Sequence, residues 1–124
     1  TSSLIYQSTP IDDIKAKNQF LDYVSDFEYR KLGIREPDIV FFLAAPFDLI
    51  TKMREQRAEN DGIKNDVHER DHELLRKVNE NALYVAEYLH WNIIDCSTTD
   101  HNNIRSIEDI HQEIYQTLKS KNLL

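Results

Sequence analysis

Glycine is almost missing from this chain of 124 residues: only Gly33 and Gly62 occur. A glycine-rich phosphate-binding loop needs several glycines within a few positions, so none can be assembled here. Cysteine is reduced to Cys96, which excludes an intramolecular disulfide and suits a reducing cytosol. The longest apolar run, Ile39 to Pro46, is far too short to cross a membrane, and no signal peptide is visible. Positive charge is in deficit, with 15 Lys and Arg against 22 Asp and Glu and a net charge of -7. A polyanion partner calls for a basic stripe, so no nucleic acid is expected, whereas a small phosphorylated ligand needs only a few clustered arginines. These shortages together predict a cytoplasmic protein without membrane attachment. The first residue is Thr1 rather than an initiator methionine, and no cleavage signal precedes it, so the chain is expected to begin inside a larger protein.

What is present has a globular composition, 40% hydrophobic and 30% charged. Ser2 to Ser8 is short and mixed, the stub of a helix or a loop. Thr9-Pro10 followed by Ile11, Asp12 and Asp13 carries helix-start chemistry: an oxygen-bearing cap, proline in the first turn and acids at the positive end. Ile14, Phe20, Leu21, Val24, Phe27 and Leu32 then recur near helical spacing, and Gly33 marks the end of that helix. Ile39 to Ala45 is continuous, β-rich and unalternated, the pattern of a parallel strand covered on both faces. Pro46 to Arg57 reads as a helix with Phe47, Ile50 and Met53 on one side. Ala58 to Asn65, with its Asn60-Asp61-Gly62 turn signal, reads as a polar mobile segment. A long helix is expected over Asp66 to His90, with Val67, Leu74, Leu75, Val78, Ala82, Val85 and Leu89 as its apolar residues. Trp91 to Cys96 is a second buried strand, and Ser97 to Arg105 a polar loop. Ser106 caps a last helix whose apolar face is Ile107, Ile110, Ile114 and Leu118. The order of elements predicts an α/β fold with parallel strands. Two strands do not make an independently stable sheet, so further strands are expected from outside this segment.

Three stretches carry a family resemblance. Ser2-Ser3-Leu4-Ile5-Tyr6-Gln7 resembles the S-S-x-x-Y-Q segment that follows the D-R-Y motif of bacterial thymidylate kinases. Glu36-Pro37-Asp38-Ile39-Val40-Phe41-Phe42-Leu43 resembles their P-D-x-x-x-x-L strand. Met53-Arg54-Glu55-Gln56-Arg57 resembles the R-x-x-R entry to their lid. Order and spacing together make the match, which spans nearly the whole chain. The resemblance implies that residues 1–124 are a single partial domain. It is the C-terminal part of a P-loop kinase, a three-layer fold with a parallel sheet flanked by helices, with its lid near residues 54–70. It implies phosphoryl transfer from ATP to dTMP with Mg2+, usually in a homodimer. The glycine-rich loop, the D-R-Y motif and the first strands are absent here.

Phosphoryl transfer is mostly positioning and charge neutralisation, for which arginine suits because it stays protonated and grips phosphate with a planar fork. Arg54 and Arg57, three residues apart, share a helix face. By charge pattern alone they are a solvated face pairing with Glu55, Glu59 or Asp61; the resemblance makes them lid arginines on the ATP phosphates. The family's lid D-R-x-E aligns with Asn65-Asp66-Val67-His68, which has no arginine. Arg70, one helical turn on, is the substitute that the resemblance suggests. Gln7 can both donate to and accept from a thymine edge, with Ser3 in support and Tyr6 packing on base or sugar. Cys96-Ser97-Thr98 closes the last strand, where this family places adenine, mostly through backbone contacts.

His68-Glu69-Arg70-Asp71-His72 also fits H-E-x-x-H, the pattern of a zinc metallopeptidase. The charged Arg70 and Asp71 between the histidines speak against a buried zinc helix, and no third ligand is marked out, although Glu87, His90 and His101 are available. Another deoxynucleoside monophosphate kinase is the nearer alternative, and a non-enzymatic interaction domain is weakened by the buried-strand pattern.

Overall fold

The computed structural model describes the backbone of residues 2–61 and 69–124, and the side chains of these residues except 58–61 and 69–71. Among the described residues it contains five α-helices, one π-helical turn and a two-stranded parallel sheet. The helices are α1 (Ser2–Ser8), α2 (Ile14–Asp26), α3 (Phe47–Asp61), α4 (Glu69–Tyr88) and α5 (Ile107–Ser120). The strands are β1 (Phe41–Ala44) and β2 (Asn92–Asp95). The elements group into two compact units: α1, α2, the π turn and α4 in one, and the two strands, α3 and α5 in the other. The α/β class with parallel strands therefore holds for the described residues.

In the first unit, α2 begins later than Thr9-Pro10 suggests. The Thr9 hydroxyl donates to the Ile5 carbonyl at 2.7 Å, and its N–H donates to the same oxygen at 3.1 Å, so Thr9 finishes α1. Asp13 caps α2 instead, accepting the Ala16 N–H at 2.9 Å. Leu21 is fully buried, while Ile14 and Leu32 are exposed, so the apolar stripe is narrower than the spacing indicates. At its end α2 widens into a π turn over Phe27–Lys31, closed by the Leu32 N–H on the Phe27 carbonyl at 2.9 Å. Gly33 then takes φ +70, a left-handed conformation that costs other residues more, and the Ile34 N–H closes on the Glu28 carbonyl.

The faces of α2 and α4 meet along a polar seam. Lys17 Nζ donates to Asn81 Oδ1, the Tyr84 hydroxyl to Asn18 Oδ1, and the Tyr88 hydroxyl to both Asp22 carboxylate oxygens at 2.9 and 3.0 Å. Below the seam, Ala82, Val85 and Ala86 are buried, whereas Leu74 is exposed. Val67 lies outside the described residues.

In the second unit, β1 pairs with β2 from Phe41↔Asn92 to Ala44↔Asp95. Contrary to the expectation of cover on both faces, no residue of β1 is buried, and Leu43 is 55% exposed. A two-stranded sheet has two edges, and among the described residues only β2 has a helix, α5, packed closely on it. Ile94 of β2 is fully buried accordingly. The helix α3 runs past Arg57 to Asp61, so the turn signal at Asn60-Asp61 does not interrupt it. It buries Leu49 and leaves Met53 exposed. Ser106 caps α5 as expected, its Oγ accepting the Asp109 N–H at 3.1 Å. Ile107 is 87% exposed, in the first turn and off the apolar face.

Candidate functional site

Parallel strands leave their carboxyl ends free of ladder partners, and ligands of open α/β sheets bind there. At the carboxyl end of β2 the chain folds back on itself. Cys96 N–H continues the ladder to Ala44 O at 2.8 Å, Ser97 pairs antiparallel with Ile104, and the Arg105 N–H returns to Cys96 O at 2.7 Å. The six residues between are tied internally: Thr98 N–H to Asn103 O at 2.7 Å and His101 N–H to Thr98 O at 2.8 Å. Asp100 accepts from the Thr98 hydroxyl and the Asn102 N–H, which holds its carboxyl below the usual range, the hydroxyl contributing most. His101 takes φ +60, a conformation uncommon for residues with a side chain.

This loop and the start of α5 enclose an open cleft of roughly 540 Å³, lined among others by Asp95, Ser97, Thr98, His101, Arg105 and Asp109. The Asp95 carboxylate accepts from both the Ser97 hydroxyl at 2.6 Å and the Ser97 N–H at 2.9 Å. The hydroxyl bond, then the backbone bond, hold the Asp95 carboxyl below the ordinary range; burial opposes them, and His101 and Arg105 add lesser lowering effects. Ser97 Oγ also contacts His101 Nδ1 at 2.9 Å. Arg105 is spent on its own surroundings: Nε donates to Asp109 at 2.7 Å, and Nη1 to Glu113 at 2.8 Å and to the Asp95 carbonyl at 2.7 Å. Its carboxylate partners strengthen its hold on its proton. The cleft is therefore polar, and among the described residues it offers no uncommitted Lys or Arg.

A second cleft, of roughly 600 Å³, lies in the first unit and is lined by Asp22, Ser25, Asp26, Tyr29, Arg30 and Glu36 among others. Asp26 there is engaged by Arg30 at 3.6 Å and Lys31 at 3.8 Å, and Asp22 by Tyr88. Burial, then Glu28 and Glu36, push the Tyr29 hydroxyl up. None of the residues singled out in the sequence lies in it.

No family model, curated protein or solved structure matches this chain.

The residues singled out in the sequence fall as follows. Ser97 and Thr98 line the cleft at the end of β2, whereas Cys96 is buried, and burial pushes its thiol up. Arg54 and Arg57 are exposed on α3 in the same unit, without an ion pair among the described residues. Ser3, Tyr6 and Gln7 are exposed on α1 in the other unit, while Leu4 and Ser8 are its buried side. The backbone of Arg70 belongs to the first turn of α4, and its side chain lies outside the described residues. So do the lid residues from Gly62 to His68 and, of the H-E-x-x-H pattern, His68 and the side chain of Glu69; His72 is half-buried on α4. Among the described residues no group of three or more His, Cys, Asp and Glu is arranged to hold a metal ion.

Asp95 and Arg105 were not singled out by the sequence, and His101 only as an available zinc ligand. Their signal was the density of turn-formers in Thr98-Thr99-Asp100-His101-Asn102-Asn103 between a strand end and a serine-capped helix. That density marks a shaped loop but not which side chain faces its hollow.

Proposed function

We propose that this chain is the C-terminal part of a nucleoside monophosphate kinase that phosphorylates dTMP from ATP. The observation that carries the reading is the cleft at the carboxyl end of β2. It is lined by Ser97 and Thr98, the positions that the family resemblance assigns to the nucleobase end of ATP. Its chemistry suits a base better than a phosphate. Asp95 and Asp109 line it, and Arg105, the one cation that lines it among the described residues, is already paired, so a triphosphate would meet uncompensated negative charge. A flat neutral ring with donors and acceptors meets hydroxyls, backbone groups and an imidazole.

In this reading the phosphates extend toward cations supplied elsewhere. Arg54 and Arg57, exposed and one turn apart, have the forks for that task, and Arg70 stands at the start of α4 as the third candidate. Ser3, Tyr6 and Gln7 form the exposed side of α1 on which the pyrimidine of dTMP would be read. Among the described residues no group of three or more His, Cys, Asp and Glu is arranged around one point, so none of them is given a role in holding Mg2+. The reading requires a glycine-rich phosphate-binding loop, which residues 1–124 do not contain, and it assigns the enzyme to the cytoplasm as a homodimer.

Coupled-enzyme detection of ADP tests the reading. The full-length gene product with ATP, Mg2+ and dTMP should release ADP, and residues 1–124 alone should release none. A full-length product that phosphorylates other deoxynucleoside monophosphates better than dTMP would replace the substrate. One inactive on all of them would end the kinase reading.

A further inference from the structure

The cleft at the end of β2 contains a hydrogen-bond relay whose direction can be worked out. Ser97 has one hydroxyl proton. At 2.6 Å from the Asp95 carboxylate, in the range of a short bond to an ionised acceptor, that proton is committed to Asp95. The Ser97 oxygen therefore faces His101 Nδ1, 2.9 Å away, only as an acceptor, and Nδ1 must carry a proton. In a neutral imidazole this leaves Nε2 as a bare acceptor. Nε2 meets no protein donor among the described residues, and His101 is exposed on the wall of the cleft. The left-handed backbone at His101 and the bonds across its loop fix the ring's root, so the acceptor is preorganised rather than recruited.

We infer that His101 is the base-selecting residue of the cleft, its Nε2 accepting a hydrogen bond from the exocyclic amine of a 6-aminopurine and disfavouring a 6-oxopurine. The inference rests on the reading of the cleft as the site of the ATP base and names the residue that selects it. A 6-amino group supplies the donor that Nε2 lacks; a 6-oxo group puts a second lone pair against it. Asp95 sets the selection at one remove, as a positioning residue acting through Ser97. If the Ser97 proton turned toward His101, Nδ1 would become the acceptor, Nε2 the donor, and the preference would reverse.

Adenosine and inosine, which differ at position 6 and in the N1 proton that follows from it, test this without involving the phosphates. Each is titrated into the full-length gene product at about pH 8, where imidazoles are ordinarily neutral, and followed by amide chemical-shift changes across 97–105. Adenosine should bind about three- to tenfold more tightly than inosine, the span of one net hydrogen bond. Long-range proton–nitrogen spectra should show Nδ1 as the protonated nitrogen of His101. His101→Asn keeps a residue that tolerates positive φ but cannot reach as far; it should bring adenosine affinity down to that of inosine. Equal affinities in the unaltered chain, a preference for inosine, or a proton on Nε2 would each overturn the base assignment and leave the nucleobase reading standing. An absence of shifts at 97–105 with both nucleosides would overturn both.

Discussion

Lys17 on α2 and Asn81 on α4 meet at 2.6 Å across 64 positions of sequence. Asn81 is 5% exposed, and its amide nitrogen lies at 2.9 Å from both the Ile5 carbonyl and Ser8 Oγ, and at 3.3 Å from Thr9 Oγ1. One carboxamide thus joins α4 to α2 and to the end of α1. The Asn81 and Lys17 side chains are polar members of helices otherwise recognisable by their apolar spacing.

Replacing Asn81 by alanine should destabilise the protein by about 2–3 kcal/mol, because the buried acceptors at the end of α1 lose their donor. Urea denaturation measures it. Lys17→Met removes one bond at the edge of the same network and should cost less. A smaller loss for Asn81→Ala than for Lys17→Met would contradict the placement of Asn81 at the centre.

The Asp95 carboxyl should titrate below 3.8, its ordinary value, with the Ser97 hydroxyl as the main cause. A carboxyl with a depressed folded-state pKa stabilises the fold above its unfolded pKa, and that stabilisation is lost as pH falls through the depressed value. The loop across 97–105 should therefore stay ordered at pH 5 and loosen only well into the acid range. Carbon-13 titration of the carboxyl checks this, and Ser97→Ala should move the midpoint upward. An unmoved midpoint would mean that the hydroxyl does not hold the charge.

In the full-length enzyme, Arg54→Ala or Arg57→Ala should lower kcat more than it raises the KM for dTMP. An arginine that engages a migrating phosphoryl group acts mainly in the transition state, and its loss costs about 2–4 kcal/mol. Steady-state kinetics on both variants decide it. Unchanged kcat in both would return these exposed side chains to a solvated helix face.

Gln7→Leu keeps the size of the side chain and removes its donor and acceptor. Calorimetric titration of the full-length enzyme should show dTMP weakened by about 1–3 kcal/mol with ATP binding nearly intact. Gln7 is exposed on α1, so the substitution has little to disturb in the fold itself. Equal affinities would take Gln7 out of base recognition.

Local chemistry made some of this legible in advance. Ser106 and Gly33 behave as their side chains dictate, one capping α5 and the other taking the left-handed turn. The parallel pairing of β1 with β2 follows from two apolar runs separated by helices. Competition between neighbours was less legible. Thr9 and Asp13 both carry cap chemistry, and the choice went to Asp13 because the Thr9 hydroxyl is used by Ile5. The α2–α4 seam escaped notice because Asn81, Tyr84 and Tyr88 have the composition of a wetted face. His101 was hidden for a related reason: its role depends on the return of Ile104 to Ser97, a pairing that no periodicity announces.

The π turn at Phe27–Lys31 gives α2 a surplus of one residue. Its closing bond spans five positions where an α-helix spans four. Adding a further residue there, where the turn is already widened, would turn everything beyond it by about 100°. Gly33 would then no longer meet the chain at its left-handed turn, and Tyr29 and Ile34 would leave the wall of the first-unit cleft together. The direction in which the chain leaves α2 is thus set by a count of residues rather than by their kind. An insertion of one position in this segment should be more consequential than most substitutions within it.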